Sequence, residues 1–111
     1  MKTIKFAGSL VELILNGSKT VTWRLFDDKD LQQVDELEFI NRDTGEVFGY
    51  AKILWTKEKL IKDIRDEDYD AGHEKYKNTE ELILNFGKYY EGREVDENTS
   101  IKIIKFKFKQ L

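Results

Sequence analysis

The chain has 111 residues, 40% of them hydrophobic and 13% aromatic, so residues 1–111 are expected to form a single domain with its own core, and disorder is excluded despite the 37% charged fraction. With no cysteine and one histidine, His73, neither a disulfide framework nor a thiolate or multi-histidine metal site can be built, and no metal or cofactor is expected. The formal net charge of −3 is a poor match to non-specific nucleic-acid binding, which draws its free energy from cations that displace phosphate counterions, and leaves open a local basic patch or a nucleoside pocket.

In chain order, residues 3–6 read as a first strand. The apolar run that follows is interrupted by Glu12, as in an amphipathic helix rather than a signal peptide, and no stretch approaches the roughly 20 apolar residues of a membrane span; a cytoplasmic protein without membrane contact is expected. Ser9-Leu10-Val11-Glu12 has the spacing of a capping box, and Leu10, Leu13, Ile14 and Leu15 give the helix an apolar face that ends at Gly17.

From Thr20 the period changes to two, with Val21, Trp23 and Leu25 on one side and Thr20, Thr22 and Arg24 on the other. By that alternation Lys19 reaches Thr22 only from the turn after Gly17. A charged loop at residues 27–30 precedes a hairpin with strands near residues 37–40 and 47–55 and a turn at 42–45. Residues 57–64 have short helical spacing at Leu60, Ile61 and Ile64, and residues 72–76 read as loop. Asn78 with Glu81 is a second capping signal, for a helix whose stripe holds Leu82, Ile83, Phe86, Tyr89 and Tyr90. In the last strand, residues 100–109, Ile101 and Ile103 are out of phase with Ile104, Phe106 and Phe108, as at a bulge or bend of a curved sheet. Its lysines at 102, 105, 107 and 109 are either a basic edge or protection of an edge strand against aggregation.

The run Gly17-Ser18-Lys19-Thr20-Val21-Thr22-Trp23-Arg24 fits G-x-K-x-x-T-x-R and resembles the signature of the ASCH family, within the PUA-like superfold, in its usual place after the first helix. Thr44-Gly45 through Gly49-Tyr50-Ala51, Gly72-His73-Glu74-Lys75-Tyr76, Glu80-Glu81-Leu82 and Ile103-Ile104-Lys105-Phe106 resemble further segments of that family in order, over nearly the whole chain. The resemblance implies an α+β fold, a PUA-like curved β-barrel with flanking helices, and a cleft lined by the motif for RNA or a nucleoside-like ligand. Small single-domain members include metal-independent amidohydrolases that cleave N4-acetylcytidine with a Lys, Thr and Glu set. The resemblance implies Lys19 and Thr22 for the first two, and Glu74 for the third.

The residue chemistry is compatible with that set. Threonine is a nucleophile only when a base takes its proton, and a lysine serves only with its pKa lowered from about 10.4. Arg24, on the same strand face as Thr22, supplies a cation that depresses the lysine and a contact for a substrate carbonyl or oxyanion. Glu74 is expected to protonate the leaving amine, and Ser18 and Tyr76 to contact the substrate, Tyr76 by stacking. Trp23, opposite Thr22 by alternation, belongs to the core. The leading expectation is an amidohydrolase acting on N4-acetylcytidine or related acylated cytidines; the alternative is a non-catalytic RNA-binding module using the same cleft, with RNA as partner.

Overall fold

Alternating apolar runs and two capped helices fold here into β1 (Lys2–Phe6), α1 (Gly8–Leu15), β2 (Val21–Leu25), β3 (Glu36–Asn41), β4 (Val47–Leu60), a 3-10 turn (Ile61–Asp63), α2 (Asp66–Tyr69), α3 (Thr79–Tyr89) and β5 (Ser100–Gln110). The structure is a computed structural model and describes residues 1–26, 29–69 and 76–111. The five strands make one curled sheet in the order β1-β3-β4-β5-β2, a PUA-like α+β half-barrel. β1 and β3 run parallel and the other pairs antiparallel.

Two cores follow from the alternation of side chains along β5. Ile104 and Phe106 join a cluster with Phe6, Phe39, Ile53 and the α1 residues Val11 and Ile14. Ile101 and Ile103 point the other way and pack with Val21, Trp23, Leu25 and Ile61 against Leu82 and Phe86 of α3. The phase slip in β5 therefore marks a strand buried on both faces. The bulge lies opposite it, on β4, where Ile53 pairs with Phe106 and Trp55 with Lys105, leaving Leu54 as the extra residue.

β1 and β2 are the two edges of the sheet, and side chains rather than a backbone ladder link them. The Arg24 guanidinium donates from Nη2 to the Lys5 carbonyl at 3.0 Å, and Lys29 Nζ donates to the Thr3 carbonyl at 2.6 Å. Both carbonyls belong to alternate residues of β1, which in a parallel pair face away from β3 and need another donor. The result is an open seam between β1 and β2, lined with cations.

Four local expectations need correction. The Ser9 capping box does not form: α1 starts at Gly8, its Ala7 N-cap makes no side-chain bond, and Asp43 from the β3–β4 turn instead accepts from the Gly8 N–H at 3.0 Å. A Cβ at Gly8 would lie 2.5 Å from Asp43 Oδ2, so a larger residue there would displace the exposed carboxylate from this bond. Leu13 and Leu15 are exposed, and the buried stripe is Val11 and Ile14. Residues 57–60 are not helical but continue β4, because β5 offers a complete ladder there, with Glu58 opposite Lys102; tertiary pairing overrides the helical propensity of Lys and Glu. The lysines of β5 form no single row: Lys102 is buried on one face and Lys105, Lys107 and Lys109 alternate to the other. The Asn78 cap does form, accepting from the Glu81 N–H at 2.8 Å.

After the 3-10 turn, Asp68 fixes α2 to β4. Its carboxylate is fully buried and accepts from the Arg65 N–H at 2.8 Å and from Lys59 Nζ at 3.0 Å, with Lys57 Nζ at 3.1 Å. Burial pushes the carboxyl upward, but these donors together outweigh it and hold Asp68 below the ordinary carboxylate value. A depressed folded-state value contributes stability that is complete above the unfolded value of about 4 and is lost as pH falls through the lower folded one. Asp68→Asn is thus expected to lower stability by about 2 kcal/mol at neutral pH, from the loss of charge-assisted bonds to a buried group. Urea titrations of both proteins should show the gap closing as pH is brought below about 4.

Candidate functional site

The turn that follows α1 places Lys19. Gly17 takes φ +84°, in the left-handed region that glycine enters without a Cβ clash, and the Lys19 N–H then bonds the Leu13 carbonyl at 3.0 Å. This ties the lysine backbone to the last turn of α1, and the residue is only 3% exposed. Thr22 follows in β2, paired with Ile104 of β5, and is 4% exposed. Because β2 is an edge strand, residues from both of its faces meet over the edge, at the seam.

There Lys19, Thr22 and Arg24 line one hollow of about 120 Å³, together with Tyr76, Phe86 and Tyr90. An apolar cavity of about 150 Å³ accepts benzene, so this hollow has the size of a single six-membered ring. Its wall is aromatic: the Tyr76 ring centroid lies 6.3 Å from that of Trp23 and 6.2 Å from that of Phe86, which stacks on Tyr90. Trp23 is core, as alternation predicts, yet its edge also reaches the hollow.

Arg24 closes one side. Besides its bond to the Lys5 carbonyl it lies over the Phe6 ring at 5.1 Å, and its buried Nε has no hydrogen-bond partner among the described residues. Burial lowers its pKa, the Tyr90 hydroxyl opposes that shift, and the neighbouring Arg42 adds to it. Arginine remains a cation throughout the physiological range even so. Tyr90 in turn accepts from the Leu25 N–H at 3.1 Å, which fixes its hydroxyl against β2.

Of the residues singled out in the sequence, Lys19, Thr22, Arg24 and Tyr76 therefore line the same hollow. Ser18 does not line it: it is exposed on the turn, with its N–H bonded to Asn16 Oδ1 at 2.9 Å. Glu74 and His73 fall in residues 70–75, outside the described residues. Trp55 stands away from the site, with Lys57 Nζ 5.6 Å from its ring centroid. Sequence reasoning missed Lys5 and Arg42, which also line the hollow, and gave Tyr89 and Tyr90 only a packing role. A pair of tyrosines at the end of α3, just ahead of Gly92, was the available signal.

The curled sheet with its open seam has the fold of PUA-like barrels. Within that class it has the fold of ASCH domains, as solved structures show. A DUF984 protein of Enterococcus faecalis superposes with TM-score 0.78 at 14% identity, over 100% of this chain and 82% of that one. An ASCH domain of Lactobacillus crispatus gives 0.71 at 15% identity, over 96% and 78%. The ASCH protein of Zymomonas mobilis gives 0.64 at 14% identity, over 95% and 65%. No protein-family model and no curated protein matches the sequence. Among the described residues no helix is long and apolar enough to cross a membrane.

Proposed function

We propose that residues 1–111 act as a single-domain amidohydrolase on N4-acetylcytidine or a related acylated cytidine bound in the seam hollow. The observation that carries this reading is the burial of Lys19 and Thr22, from two different elements, in the lining of one ring-sized cavity that also holds the Arg24 guanidinium. The pyrimidine ring fills the space between Tyr76 and Tyr90. Lys19 takes the hydroxyl proton of Thr22 while Thr22 Oγ attacks the amide carbon. Charge that develops on the carbonyl oxygen is met by Arg24. The C–N bond breaks, the exocyclic amine of cytidine leaves with a proton from Glu74, and water then cleaves the acyl-threonine ester to a carboxylate. Glu74 takes this part on the strength of the family resemblance alone.

Chromatography of a mixture of the protein and N4-acetylcytidine tests the reading: free cytidine should accumulate, and longer acyl groups belong in the same experiment. RNA binding with no turnover on any of these amides would leave the rival module in its place. That rival carries its own signature, since contacts made mainly to phosphates weaken steeply with salt whereas capture of a neutral nucleoside barely responds.

A further inference from the structure

A second hollow adjoins the first along the seam. Its volume is about 330 Å³, and the two share Lys5, Arg24, Arg42 and Tyr90. Beyond that shared wall the second is lined by Phe26 and Arg93, and no carboxylate occurs among its described lining residues. Among the described residues Lys5, Arg24, Arg42 and Arg93 make no ion pair, whereas Lys2, Lys57 and Lys59 all do. Lys5, Arg24, Arg42 and Arg93 thus stand together without a described counter-charge, and Arg42 is near enough to Arg24 to disfavour its charge.

Two of these guanidiniums are held in a specific way. Arg42 lies over the Tyr89 ring at 5.4 Å and Arg93 over the Phe26 ring at 4.0 Å. A guanidinium held over an aromatic ring keeps N–H donors free of the ring, and its fork matches two oxygens of a phosphate. Phe26 takes φ +51°, a strained setting for a bulky residue, and in it packs edge-on against Tyr90 at 5.5 Å while supporting Arg93. The buried Arg24 Nε adds one more donor without a described partner at the boundary between the hollows.

We infer that the second hollow is a phosphate subsite, so that the ligand of the seam is a phosphorylated cytidine whose ring occupies the first hollow and whose sugar phosphate is held by Arg42 and Arg93. This rests on the reading of the first hollow as a pyrimidine site. A free nucleotide and the diester of an RNA strand present the same phosphate oxygens, and the same groups meet either.

Calorimetric titration with cytidine, cytidine 5′-monophosphate, cytidine 3′-monophosphate, a short oligoribonucleotide containing one cytidine, and inorganic phosphate tests it. At least one monophosphate should bind about tenfold more tightly than cytidine, with an advantage that shrinks as salt is raised. In Arg93→Ala and Arg42→Ala the ratio of monophosphate to cytidine affinity should fall toward one; a ratio measured on one protein cancels any general loss of folding. A ratio near one in the unaltered protein overturns the subsite and leaves the pyrimidine reading intact. Inorganic phosphate bound in an Arg93-dependent manner without any affinity for cytidine keeps the subsite and removes the pyrimidine reading. An oligoribonucleotide that binds more tightly than both monophosphates identifies the strand as the source, and the reverse order identifies the free nucleotide.

Discussion

Thr22→Ala is expected to reduce amide hydrolysis by a factor of about a thousand or more, and Lys19→Ala to do the same, because groups that act as a unit lose their effect together. The double variant should be little worse than either single one, a non-additivity that two independent contributions to binding would not produce. Thr22 is a buried residue paired with Ile104, so alanine there removes a hydroxyl without opening a large void. Thr22→Ser keeps the hydroxyl and should retain measurable turnover. Circular dichroism and thermal unfolding of each variant separate a lost nucleophile from a lost fold. Full activity in Thr22→Ala would remove the covalent route altogether.

The largest effect on stability is expected at Phe39. Its side chain is completely buried and its ring meets those of Phe6 at 4.7 Å, Phe106 at 5.0 Å and Phe108 at 5.8 Å, joining β1, β3 and β5 across the barrel. Phe39→Ala removes that hub and leaves a cavity, at a cost of about 3–5 kcal/mol. Against a total stability of about 5–15 kcal/mol this brings the protein close to its unfolding threshold. A scanning calorimeter should record a fall in melting temperature of more than about 10 °C. The Phe6 ring also underlies Arg24 at 5.1 Å, so a softened core here loosens the seam as well.

Much of this arrangement is legible in the sequence where one local signal dominates. The change from helical spacing, which ends at Gly17, to period two from Thr20 locates β2 and its two faces, and Gly17 itself predicts the left-handed reversal that carries Lys19. Asn78 announces α3 because its side chain competes for the free N–H groups of a helix start. The misreadings arise where a distant segment decides. The helical propensity of residues 57–60 gives way to the ladder with β5, and the Ser9 cap is displaced by Asp43, which lies 35 residues from Gly8 in sequence. Nothing local shows that Lys5, Arg42 and Tyr90 meet Arg24, since the seam exists only once β1 and β2 become the two edges of one curled sheet.

The central claim, that the seam between β1 and β2 is the nucleoside site, is tested most directly by following backbone amide shifts during titration with cytidine. Saturable changes are expected at Lys19, Thr22 and Arg24 and at Tyr76 and Tyr90, with little effect on the groove around Tyr50 of β4 and Phe108 of β5. Changes confined to that groove, or no change at the seam at millimolar cytidine, would contradict it.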